Sequence, residues 1–161
     1  MLRDPSLIPL SRQHQHALAL CVRIDRGVHD GDELRPWQIE VEQLFQQEIA
    51  IHFAAEEKII FPAAAKFPEL RVLVTELIAE HAQLRESFSR AEHCDAAGLR
   101  LLGQRLALHI RKEERQLFEG MQQRMPAEDL AAIGSELNRE LEAVSDACLL
   151  PSETTRIRPA K

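Results

Sequence analysis

The chain has 161 residues, 45% of them hydrophobic and 29% charged, and a formal charge of −6. That balance predicts one soluble globular domain, large enough to bury a core. An acidic chain with no basic stripe is excluded from sequence-independent binding to a phosphate backbone, which needs clustered Lys and Arg. The longest apolar runs fall well short of the roughly 18 residues of a membrane span. Nothing after Met1-Leu2-Arg3-Asp4-Pro5 has the composition of a signal peptide. Three widely spaced cysteines, Cys21, Cys94 and Cys148, fit packing residues in a reducing compartment better than a disulfide framework. The expected setting is the cytoplasm, with no nucleic-acid and no membrane partner.

Helical periodicity dominates the chain, and strand signals are nearly absent. The first helix is expected to begin near Pro9-Leu10-Ser11, with Ser11 as N-cap. Its inward face runs through Leu10, His14, Ala17, Cys21 and Ile24, and the polar turn His29-Asp30-Gly31-Asp32 ends it. A second helix opens at Pro36, whose missing N–H needs no partner in a first turn. Its stripe is Val41, Leu44, Phe45, Glu48, His52, Ala55, Glu56 and Ile59, and Pro62 is expected to end or kink it. The third helix spans about residues 69–92, with Val74, Leu77, His81, Leu84 and Phe88 on one side. Asp95 caps a fourth, which carries Leu102, Leu106, His109, Glu113 and Leu117 and continues to residue 123.

Pro126 starts a shorter fifth helix, to about residue 148. Its positions Leu130, Ile133, Leu137, Leu141 and Val144 form a stripe that either covers the bundle or makes a homodimer contact. The tail at 151–161 has little to bury and is expected to be mobile. The expectation is an all-α, up-down four-helix bundle with a short additional C-terminal helix, in one domain over residues 1–150.

Chemistry is announced by polar residues on these inward stripes. His52 and Glu56 are four apart on helix two, and His109 and Glu113 are four apart on helix four. Each pair therefore presents an imidazole and a carboxylate one turn apart on a single face. His14 and His81 lie on the inward stripes of helices one and three. A buried ionised carboxylate costs several kcal/mol unless it is paired or metal-bound. A dinuclear metal centre satisfies all six groups, with the two Glu shared and the four His at either end. Imidazole and carboxylate donors without cysteine suit iron, with manganese or zinc as alternatives.

The segments Gln13-His14-Gln15-His16, His52-Phe53-Ala54-Ala55-Glu56-Glu57, Glu80-His81 and His109-Ile110-Arg111-Lys112-Glu113-Glu114 resemble the hemerythrin-like, HHE cation-binding proteins. So do Phe61-Pro62 and Leu117-Phe118, and the resemblance covers residues 8 to 124. It implies a non-haem di-iron centre with His14, His52, Glu56, His81, His109 and Glu113 as ligands. It also implies an open position for dioxygen, peroxide or nitric oxide. The chain departs from the oxygen carriers of that family in two places. Where they have a second His on helix three it has Arg85, and their last carboxylate corresponds to Glu114 rather than Glu113. Glu48, one turn before His52, is a further ligand candidate. His16 points about 200° away from His14 on an ideal helix.

The remaining polar residues read as structural. Glu57 and Glu114 are expected to face solvent or pair with Lys58 and with Arg111 or Arg115. His29 and His93 are surface residues, and Trp37 is a packing anchor. The sequence holds no nucleophile with a positioned base and no phosphate-cradling loop, so any turnover rests on the metal alone. The functions left standing are a di-iron protein that senses or scavenges oxygen, peroxide or nitric oxide, a non-catalytic iron-binding or metal-stabilised regulatory module, and a metal-free helical interaction protein with the His residues as core polar groups.

Overall fold

The computed structural model describes residues 2–149, with side chains to residue 143. The side chains of Val144 and Cys148, and the tail at 151–161, lie outside the described portion. A 3₁₀ turn over Pro5–Leu7 leads directly into helix α1 (Ile8–Gly27). Four further helices follow: α2 (35–64), α3 (Pro68–Ser89), α4 (96–124) and α5 (Ala127–Leu149), with no strand among the described residues. The all-α bundle expected from the periodicity is the fold observed.

Asp4 caps the opening turn, its carboxylate accepting from the Ser6 N–H at 2.9 Å. Because that turn already nucleates α1, Ser11 is not the N-cap. It lies inside the helix, where its hydroxyl donates to Glu114 Oε1 at 2.7 Å. Asp95 does act as expected and accepts from the Gly98 N–H at 2.7 Å at the start of α4. Pro62 does not end α2, which continues to Ala64. A wide π-helical turn over Glu56–Ile60 precedes it, so the proline follows a stretch where the i→i−4 ladder is already re-registered.

Two apolar cores fill the bundle. One contains Leu10, Ile59, Leu77 and Leu117, and the other Ala17, Phe53, Leu84 and Leu106. Along each of the four long helices, a residue of the first core and one of the second flank a polar pair or a single His. The polar groups therefore form one layer sandwiched between apolar halves.

Helix α5 closes the first core, with Leu130 and Leu137 buried and Ile133 and Leu141 packed beside them. Its close seat depends on Gly134, where a Cβ would come within 2.6 Å of Ser6 Cβ. The described part of the stripe, Leu130 to Leu141, thus covers the bundle, which leaves those four residues unavailable for a homodimer contact. Trp37 packs beside the second core, with its ring against Gly27 and under the Arg23 guanidinium.

Candidate metal centre

Six polar side chains reach the middle layer, and all six are buried: His14, His52, Glu56, His81, His109 and Glu113, none more than 4% exposed. Heptad-like spacing explains why. His14 follows Leu10 by one turn and precedes Ala17, and His81 lies between Leu77 and Leu84, so burying the apolar stripe buries the imidazole with it. On α2 and α4 the His and Glu occupy consecutive turns of one face. Each of the two carboxylates then opens a π-helical turn, at Glu56–Ile60 and Glu113–Phe118. Such a turn holds one extra residue and shifts the helix face by that amount, a device common at functional sites.

The Nε2 atoms of the four imidazoles converge on the two carboxylates. His52 Nε2 lies 3.2 Å from Glu56 Oε1, and His81 Nε2 lies 3.4 Å from Glu56 Oε2. His14 Nε2 is 3.2 Å from Glu113 Oε2, and His109 Nε2 is 3.1 Å from Glu113 Oε1. Donor atoms of His14, His52, Glu56 and Glu113 fall within 4.8 Å of one another, and so do those of Glu56, His81, His109 and Glu113. Two groups of four thus share both carboxylates. Although these contacts are short, the angles are not those of hydrogen bonds. All four Nε2 atoms and all four carboxylate oxygens are buried without a hydrogen-bond partner. Orphaned polar atoms in such number are rare in a folded core, and bound metal would account for them.

Outside this layer every imidazole is held through Nδ1. His14 bonds Glu114 Oε1 at 2.7 Å, His52 bonds Gln13 Oε1, His81 bonds Glu57 Oε1 and His109 bonds Glu80 Oε2, the last three at 2.8 Å. With Nδ1 as the donor, the lone pair is left on Nε2, facing the centre, which is the tautomer a metal ligand needs. Glu57 and Glu114 are half-buried, and among the described residues their ion-pair partners are not Lys58 and Arg111 or Arg115. Glu57 is bound by Arg85 and Glu114 by Arg3, while Lys58 pairs with Glu140. The displaced face of the wide turns puts the second Glu of each Glu-Glu pair beside an imidazole of another helix, which an ideal 3.6-residue period does not show.

Other contested residues also find their places. Glu113 is in the cluster and Glu114 in the outer ring. Glu48 joins neither group of four; its Oε2 is buried and lies 3.5 Å from Nδ1 of the mainly exposed His16. Arg85 reaches Glu57 Oε1 at 2.6 Å and stands over the Phe53 ring, so it takes no place among the donor atoms. His29 and His93 are exposed. Burial pushes the Cys21 thiol up to about 11, which leaves it inert, as a packing residue should be.

The charges explain how the metal-free cluster can exist. Burial lowers the His14 pKa, but the carboxylates of Glu113 and Glu114, with Glu56 behind them, outweigh it and raise it to about 10. Burial opposes His81 in the same way, and Glu113 and Glu56 carry it to about 9. His109 is also raised, against burial, chiefly by Glu113. Burial and the neighbouring Glu113 push Glu56 up, yet His52 and His81 hold it below the usual carboxylate range. Burial likewise opposes Glu113, which His109, His14 and His81 hold well below that range. Protons supply the positive charge that bound cations would otherwise supply.

The hemerythrin HHE cation binding domain model matches residues 9–121, a span that contains all six clustered residues. The chain belongs to this family. No curated protein and no solved structure matches it. For this hemerythrin-family bundle, membership and the two groups of four buried donors point together to metal binding. Membership agrees with the helical architecture as well, and no helix among the described residues is long and apolar enough to cross a membrane.

Proposed function

We propose that this protein is a non-haem di-iron protein that binds or reacts with oxygen, peroxide or nitric oxide, as a sensor or scavenger. His14 and His52 would hold one ion and His81 and His109 the other, with Glu56 and Glu113 shared between them. One observation carries the reading: eight buried donor atoms on six side chains, all unpartnered and all directed at one layer. Four imidazoles and two carboxylates, with no thiolate, favour iron or manganese over a structural zinc site. Bound iron supplies an exchangeable coordination position and a change of oxidation state.

The chain's own residues do the rest. Glu57, Glu80, Glu114 and Gln13 orient the imidazoles. Phe53 stacks on His81 with ring centroids 3.8 Å apart, and Phe118 stacks on His14 at 5.6 Å. The two apolar cores exclude bulk water above and below. A small cavity of about 10 Å³ adjoins His14 and His52, walled by Ile49, Phe53, Leu106 and Ile110 and edged by Glu48. That space is at the lower limit for a single water-sized molecule, and its walls are mostly apolar.

Reconstitution with ferrous iron under anaerobic conditions tests the reading. About two irons per chain are expected, with new ligand-to-iron charge-transfer absorption on exposure to air or nitric oxide. His52→Ala and His109→Ala should each lose at least one iron. Full iron retention by both variants overturns the proposal. The deep burial of the ligands favours a second reading, a metal-stabilised module without turnover. It predicts the same iron content and a higher melting temperature, but no consumption of peroxide.

A further inference from the structure

We propose that the two metal positions are unequal and fill in order, the His81/His109 position first, and that Gln13 sets this order. The inference rests on the metal-centre reading above and concerns the ring of groups outside it. Glu56 and Glu113 are common to both positions and cannot distinguish them. The Nδ1 partners can. His81 and His109 are both backed by carboxylates, Glu57 and Glu80, each at 2.8 Å. His14 is backed by Glu114 at 2.7 Å, but His52 is backed by the neutral amide oxygen of Gln13 at 2.8 Å.

Two physical effects follow from that one amide. A carboxylate accepts a stronger, charge-assisted bond from Nδ1–H and so raises the electron-donating power of Nε2 on the same ring; an amide oxygen does this less. A carboxylate without a proton can only accept, which leaves its imidazole one tautomer. An amide can turn and offer its NH₂ group instead. A neutral His52 can then keep its one proton on Nε2, the atom a metal needs, whereas the other three rings, once neutral, keep theirs on Nδ1.

The supporting groups repeat the asymmetry. Glu57 is held by Arg85 at 2.6 Å, Glu80 by Lys112, and Glu114 by Arg3 at 2.6 Å and Ser11 at 2.7 Å. Among the described residues the Gln13 side chain has no hydrogen bond of its own apart from that to His52. The weak partner is thus also the least anchored.

The test is a cobalt(II) titration of the full chain, followed by calorimetry and visible absorption. Two bridged ions repel, so two steps alone do not decide the matter; the variants do. His52→Ala should keep one ion at nearly the affinity of the wild-type first step, and His109→Ala should keep one only at the weaker affinity. Gln13→Glu should strengthen the second step by roughly tenfold, the size of a single outer-ring change, and leave the first step in place. Glu80→Gln should weaken the first step. An unchanged second step in Gln13→Glu, or equal residual affinities in the two His→Ala variants, overturns the inference while leaving the metal centre intact. A wild-type chain that takes up no cobalt and no iron overturns the metal-centre reading itself.

Discussion

Glu57 Oε1 accepts from Nδ1 of His81 at 2.8 Å, although the two residues lie on different helices and Glu57 is adjacent to the clustered Glu56. The same oxygen is bound by Arg85 at 2.6 Å. Arg85, one turn after His81 and the residue at which the sequence departs from the pattern expected of oxygen carriers, thus contacts a residue that holds the His81 ring.

Arg85→Gln is accordingly expected to retain two metal ions, with an affinity loss of less than about tenfold. Glu57→Ala, which frees Nδ1 of a ligand imidazole, should cost about 10–100-fold. Competition against a chromogenic chelator measures both. Stripping of metal by Arg85→Gln as complete as that by His81→Ala would contradict a role for Arg85 that is exerted only through Glu57.

The pH dependence should reverse sign between the metal-free and metal-loaded forms. In the metal-free chain His14 and His81 are raised from 6.5 to about 10 and about 9. Their stabilising contribution is then complete below 6.5 and is lost as the pH rises through 9 to 10. Glu56 and Glu113 are lowered from 4.5, so theirs is complete above 4.5 and is lost under more acid conditions. The chelated protein should therefore be most resistant to urea between these limits, at about pH 5.5, and weaker at about pH 9.5. Metal must displace the imidazole protons, so its affinity should rise over the same interval. Calorimetry in buffers of different ionisation heat should show protons released on binding near pH 7.5, about the usual working range. Proton uptake, or a metal affinity that falls from pH 6 to pH 8, would contradict this account.

Gly134 tests the separation between the fifth helix and the centre. A Cβ there would meet Ser6 Cβ at 2.6 Å and Ser6 Cα at 2.9 Å, and the second contact is with backbone, which cannot swing aside. Gly134→Val should destabilise the chain by about 1–3 kcal/mol, a fall in melting temperature of roughly 2–12 °C for a chain of this size. Metal content per folded chain should be unchanged, because none of the described side chains of α5 belongs to the cluster. Loss of metal in proportion to the loss of stability would show that α5 holds the centre together.

The inward stripes were legible in the sequence because they rest on one local regularity, the 3.6-residue period. Apolar residues at that spacing must be buried together, and any His or Glu on the same stripe goes with them. The bundle, the six clustered residues and the pairing of His52 with Glu56 and His109 with Glu113 all follow from that rule and from the high cost of burying a lone carboxylate. The roles of Glu57, Glu80, Glu114 and Gln13 do not follow from it. Each lies one residue away from an inward position, where the period predicts a solvated side chain. What turns Glu57 and Glu114 inward is a wide turn that begins at the preceding glutamate, and the imidazole each one meets comes from another helix. The partner of Gln13 is 39 residues away and that of Glu114 is 100 away. The sequence determined that six polar groups must share one buried layer. Only the tertiary structure decided which outer group holds each imidazole, because that depends on helix phase and on how neighbouring helices are rotated against one another, neither of which is a local property of the chain.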